Sequence, residues 1–385
     1  MNFGTLAVIV LAGLGGPLLG ILDRRFVPVV VGEIAAGILI GPAVLSAIDP
    51  SNVTVSFLSG IGFAMLMLTA GMHLPLRDRR LVESARGGAL LAALVCVLAV
   101  PAGFLAAGIA GAGHATVYMV LLASGSAAVL LPALQETGLE GAEVMTVMAQ
   151  VAIADVLTIL SVPIVLQPGR VGHAALGALL VAAAAAALLL AARRVSVDGW
   201  VHRVRHLSKQ RHWVLDLRLS LLVLFTLAWL AEKGGTSVLI AGFGAGLMVA
   251  GIGGPKRLST QMRGVADGFF VPLYFVVLGA QLDLGGLVSK PTMLALAAAL
   301  AALNVAIHVL AAFVLRRSMA GALAATAQLG VPAAVASLGL SEHVLSPVTA
   351  TAVVASSLAS LAVCTFGVEL LARPSAQVSA GEAAG

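Results

Sequence analysis

The chain is 385 residues long, 60% hydrophobic and 10% charged, with 22 Lys+Arg against 17 Asp+Glu. A soluble domain carries roughly 25% charged residues, so this chain cannot cover a water-facing surface; a disordered chain, polar and poor in apolar residues, is excluded too. Its two cysteines, Cys96 and Cys364, sit inside apolar runs and exclude a disulfide scaffold. What remains is a protein that crosses a bilayer many times.

Apolar stretches of about 17–25 residues, bounded by charges or Gly/Pro, each predict a membrane-spanning helix. In chain order they cover 3–22, 26–41, 53–73, 86–109, 115–134, 142–166, 172–192, 215–232, 236–252, 267–282, 291–315, 318–339 and 345–370, thirteen spans in all. No basic residue precedes span one, and Asp23, Arg24 and Arg25 follow it. It therefore reads as an uncleaved helix with its N-terminus outside rather than a signal peptide. That choice puts 19 of the 22 basic residues on inner segments and leaves only Arg170, Lys233 and Lys290 outside, as the positive-inside rule requires. The longest loop, 193–218, holds seven of the nineteen and reads as a cytoplasmic connector against anionic headgroups. The high pI thus needs no nucleic acid.

Spans two to six are matched by spans nine to thirteen. Gly37 and Gly41 in span two correspond to Gly242 and Gly246 in span nine, an offset of 205; Gly71 corresponds to Gly279, an offset of 208; Gly138 corresponds to Gly339, an offset of 201. The two units run in opposite senses through the membrane, a common plan of secondary transporters. Breaks are expected in both copies, at Ser124-Gly125-Ser126 with Pro132 in span five and at Gln328, Gly330 and Pro332 in span twelve. Backbone freed there must face protein or a water-filled cavity. The fold class is an all-α polytopic membrane protein built of two inverted five-helix repeats with broken, crossing helices.

Most acids lie in loops or at helix ends. Glu33 is about two turns from the inner end of span two, whereas Asp155 sits thirteen residues into span six, ~20 Å deep at ~1.5 Å per residue. A charge at that depth costs at least ~2.5–3.5 kcal/mol, which makes function the default reading. Burial favours the neutral acid and an adjacent cation favours the carboxylate, so proton and cation compete for one group. If the site crosses loaded but never empty, the result is exchange. Neutral oxygens for Na+ or K+ are expected from Ser124, Ser126 and Thr158, with Ser356 and Ser357 at the equivalent depth of span thirteen. No cofactor is expected, and no enzyme: one deep Asp does not make an aspartyl protease, a serine protease would need His308 beside Ser124 or Ser126, and no zinc motif is present. Gly242-x-Gly244 lies in an apolar span and reads as helix packing rather than a dinucleotide loop. His73, near the inner end of span three, reads as an interfacial residue before a pH sensor.

Val31 to Pro42 (VGEIAAGILIGP), with Glu33, Gly37 and Gly41, resembles the early helix of the second superfamily of monovalent cation:proton antiporters, the Kef-type and Nap-type exchangers. Phe269 to Leu282 (FFVPLYFVVLGAQL) resembles their Phe-Phe-x-Pro-Leu-Phe-Phe segment, Ala123 to Gly138 their broken helix, and Asp155 falls where they carry the ion-binding acid. The resemblance implies a homodimer in a bacterial plasma membrane, moving in an elevator-like way. It implies scaffold helices at 1–84 and 215–289, core helices at 85–170 and 290–372, a linker at 171–214, and a short cytoplasmic tail at 373–385. Electrogenic members carry a second Asp where this chain has Ala154, and a Lys in the helix equivalent to span eleven. No Lys or Arg lies between Pro291 and Leu315, where the polar candidates are Asn304 and His308. Losing both halves of a buried pair together implies one proton per cation and electroneutral exchange. Kef-type members also carry a C-terminal nucleotide-binding domain, and none is expected within these 385 residues. Two other readings stay open, a sodium-coupled organic-anion symporter of related fold and a non-transporting subunit or sensor.

Overall fold

The computed structural model describes residues 2–22, 28–74, 79–111, 113–167, 169, 171–195, 214–252 and 256–382. Most of the basic connector expected at 193–218, along with Arg24 and Arg25, lies outside the described residues. Every regular element among the described residues is a helix, as a bilayer demands of any segment that must satisfy its own backbone. In order they form α1 (Phe3–Gly13), α2 (Gly15–Leu22), α3 (Val29–Ile40), α4 (Val53–Met72), α5 (Arg79–Ala110), α6 (Ala115–Ala123), α7 (Ala127–Glu136), α8 (Ala142–Leu166) and α9 (Val171–Val195). There follow α10 (Leu215–Lys233), α11 (Val238–Ile252), α12 (Lys256–Val265), a π-helical turn at Ala266–Phe270, α13 (Val271–Gln281), α14 (Leu284–Ser289), α15 (Pro291–Val314), α16 (Met319–Ala324), α17 (Gly330–Ser341) and α18 (Pro347–Glu382).

Nine helices or helix pairs among the described residues are long and apolar enough to cross a membrane, and α3, α11 and α17 are shorter apolar helices. The remaining expected span, span eight, is α10, which carries Asp216 and Arg218 at one end and Glu232 and Lys233 at the other. Among the boundaries that differ from expectation, span four begins seven residues earlier, at Arg79. Span one is kinked at Leu14, span ten begins eleven residues earlier as α12, and α18 runs on to Glu382, through most of the segment expected as a tail.

The inverted repeat is visible in how glycines pack. A Cβ at Gly37 of α3 would run into the Val276 carbonyl of α13, and one at Gly279 into the Ile34 carbonyl. In the symmetry-related contact between the repeats, a Cβ at Gly246 of α11 would meet the Leu68 carbonyl of α4, and one at Gly71 the Phe243 carbonyl. The two contacts interchange residue for residue, and they pair Gly37 with Gly246 and Gly71 with Gly279. The offset between α3 and α11 is therefore one helical turn longer than the 205 suggested by the Gly-x-x-x-Gly match, and agrees with the 208 seen for α4 and α13. Gly242 packs on the Ala64 carbonyl, so the Gly242-x-Gly244 step is a helix contact.

Two groups of helices pack mainly among themselves. One contains α3, α4, α10, α11 and α13; the other contains α5, α6, α8, α15, α16, α17 and α18. Between them, the Tyr274 hydroxyl of α13 donates to the Ala333 carbonyl of α17 at 2.9 Å, and the Asp283 amide donates to the Thr351 hydroxyl of α18 at 2.9 Å.

Candidate functional site

Both expected breaks open the chain. Residues 124–126 separate α6 from α7, and 325–329 separate α16 from α17, so the second break is the longer. Gly125 and Gln328 lie in the breaks, Gly330 starts α17, and Pro332 follows in its first turn, where a missing N–H costs nothing. Pro132 lies inside α7 rather than in the gap.

Asp155 is 2% exposed, on the middle of α8, and its Oδ2 accepts from the Ala127 amide at 3.3 Å. Ala127 is the first residue of α7, so the carboxylate faces a helix N-terminus, where free amides and the helix dipole favour negative charge. Ser124, Ser126 and Thr158 are buried in the same region. The Ser124 hydroxyl donates to the Leu121 carbonyl at 2.7 Å, and the Thr158 hydroxyl donates to Ala154 at 2.7 Å. Their protons are thus turned onto their own helices, while the oxygen lone pairs stay available. Ser356 and Ser357 likewise donate to Val353 and Val354.

A second polar knot joins the two breaks. The Gln328 Nε2 donates to the Leu121 carbonyl at the end of α6 (2.7 Å) and to Asn304 Oδ1 on α15 (3.0 Å). The Asn304 Nδ2 donates to the Thr326 carbonyl and to the Ser360 hydroxyl, both at 3.0 Å. His308 Nδ1 donates to the Asn304 carbonyl at 2.8 Å. Sequence reasoning singled out Asn304, His308 and Gln328 separately and did not join them. It missed Thr326 and Ser360, and the only signal for them is that polar residues are scarce in these helices.

Glu33, 3% exposed, stands apart from this cluster; a Cβ at Gly16 of α2 would touch its side chain at 3.0 Å. Gly37 and Gly41 pack on α13 and belong to the framework. His73 caps α4, its Nδ1 donating to the Thr69 carbonyl at 2.6 Å.

A cavity of about 990 Å³ opens between the two helix groups on the face that carries the 41–52, 233–237 and 342–346 loops. Its wall includes Phe63, Ser337, Glu232, Asp283 and Glu342; Asp155 does not line it.

The family model for the sodium/hydrogen exchanger transmembrane domain matches residues 6–373. The chain belongs to the sodium/hydrogen exchanger family. Relatives include the Na(+)/H(+)-K(+) antiporter GerN of Bacillus cereus, 25% identical over 74% of each chain. Another is the probable Na(+)/H(+) antiporter 3 of Methanocaldococcus jannaschii, 23% identical over 69% of this chain and 68% of that one. Among solved structures, the sodium proton antiporter MjNhaP1 from Methanocaldococcus jannaschii matches with a TM-score of 0.65 at 17% identity, covering 96% of each chain. That likeness concerns the fold. Family and fold together make this a multi-pass membrane protein of the cation/proton-exchange class, with the antiporter architecture the inverted repeats predicted.

Proposed function

We propose that the chain exchanges an alkali cation, Na+ or K+, for a proton at Asp155 without moving net charge. The observation that carries this reading is the single carboxylate, 2% exposed, at the first amide of α7. Proton and cation each neutralise it, so the loaded site crosses the membrane uncharged in either direction. The polar hub beside the breaks rests on the paired neutral amides of Asn304 and Gln328. Ser124, Ser126 and Thr158 supply neutral oxygens to the dehydrated cation. The likeness to a protein named as a Na(+)/H(+)-K(+) antiporter supports keeping K+ beside Na+.

Movement is elevator-like. Core helices at 85–170 and 290–372 slide against scaffold helices at 1–84 and 215–289, and the scaffold pairs two copies into a homodimer. The N-terminus is outside and the C-terminus cytoplasmic.

Proteoliposomes with an imposed pH gradient test the proposal. The wild type drives Na+ or K+ counterflow, and Asp155→Asn reduces it to the level of empty liposomes while the melting temperature in detergent holds. Gradient-driven flux that survives Asp155→Asn overturns the assignment. Wild-type protein without flux of either cation favours a non-transporting subunit.

A further inference from the structure

The Tyr274 hydroxyl crosses from one helix group to the other. Its side chain is 1% exposed, stacked on Phe63 of α4 with ring centroids 5.2 Å apart and edge-on to Phe275 at 5.1 Å. The two neighbouring rings fix where the hydroxyl points, and it donates to the Ala333 carbonyl near the start of α17 at 2.9 Å. A carbonyl inside a helix already accepts from the amide four residues on, so the phenol takes its second lone pair and the helix gives up nothing. Phe63, and Ser337 one turn beyond Ala333, line the 990 Å³ cavity, so the bond lies just behind the cavity wall. The segment that Phe269 to Leu282 resembles has Phe where this chain has Tyr274. The hydroxyl is therefore an addition to that pattern.

The inverted repeat gives this bond no counterpart. The offset of 208 that relates α4 to α13 pairs Tyr274 with Leu66, which is buried and carries no hydrogen-bonding group. In a transporter built of two inverted repeats, exchanging the arrangements of the repeats turns a protein open on one face into one open on the other. The arrangement that Tyr274 holds here then falls to Leu66, and a leucine cannot make the bond. One state has it and the other lacks it.

We propose that Tyr274 is a one-sided latch, whose bond to Ala333 favours the state seen here, with the 990 Å³ cavity open, over the state open on the opposite face. This rests on the elevator-like reading of the core and scaffold. Tyr274 is a positioning residue: it never meets the cation, and it sets how often the site is offered to the cavity face.

Distances between nitroxide labels test it, measured by double electron–electron resonance on the detergent-purified full chain. In a Cys96→Ala/Cys364→Ala background, Ser59→Cys on α4 and Ser341→Cys on α17 place one label on each side of the cavity. At saturating sodium the loaded site crosses, and two distances report the open and closed states. Tyr274→Phe lowers the open-to-closed ratio about threefold or more, the effect of one net hydrogen bond. Phenylalanine keeps the ring against Phe63, so the fold holds. A structural role alone would lower the melting temperature and leave the ratio unchanged. Two distances in an unchanged ratio overturn the latch and leave the elevator reading intact. A single distance in wild type and variant alike, with and without sodium, overturns both.

Discussion

Asn304 makes three hydrogen bonds through its amide: two protons given, to Thr326 and Ser360, and one received from Gln328. In a bilayer interior no water replaces a lost partner. Asn304→Leu, close in size, strands the Thr326 carbonyl and one Gln328 proton at about 1–3 kcal/mol each. The expected result is a lower detergent melting temperature with no change in oligomeric state on gel filtration. Ser126→Ala removes a proposed cation ligand, and because the Ser126 side chain does not cap α7, the helix loses nothing by the change. The KM for the transported cation should rise about tenfold, equivalent to ~1.4 kcal/mol, with the melting temperature unchanged. An unaltered KM removes Ser126 from the ligand set. Asp155 was legible in the sequence because a lone carboxylate so deep among apolar residues is too costly to keep without a use. The amide facing it was not, because Ala127 has no side-chain signal at all.

Helices in lipid gain little from hydrophobic contrast, so close backbone approach matters more. Gly37 with Gly279 and Gly246 with Gly71 are among the positions where this chain depends on having no Cβ. Gly37→Val and Gly246→Val should each cost about 1–3 kcal/mol or abolish folded protein, and to similar extents, because the two contacts are equivalent. Gly60→Ala is the control. It lies inside α4 with open space around it and should be neutral or stabilising by up to ~1 kcal/mol. Thermal unfolding of purified variants checks all three. The spans and both breaks were readable from apolar length and from Gly/Ser/Pro clusters, which act locally. The register between α3 and α11 was not. A Gly-x-x-x-Gly step repeats along one face, and only the partner helix selects which turn makes the contact.

Across the whole molecule, topology, charge and cavity make one joint statement about sidedness. In the proposed orientation, with the N-terminus outside, the cavity with Glu232, Asp283 and Glu342 would face outward and Arg79, Arg80, Arg316 and Arg317 inward. In a Cys96→Ala/Cys364→Ala background, Ser341→Cys should react with an impermeant maleimide in intact cells and resist it in inverted vesicles. Ser84→Cys should do the reverse, and the opposite pattern overturns the orientation. Electroneutrality is also a property of the whole cycle: exchange should not change when valinomycin and potassium clamp the potential during sodium-driven flux, and a steep dependence argues for net charge movement. The bond from Gln328 to the Leu121 carbonyl connects residues 207 apart, one in each repeat. Each broken helix also holds its own ends, Ser124 on the Leu121 carbonyl in the first and Asn304 on the Thr326 carbonyl in the second. The Gln328 bond is an added tie between the repeats, and a chain of one repeat would find that tie only in a second copy inserted upside down.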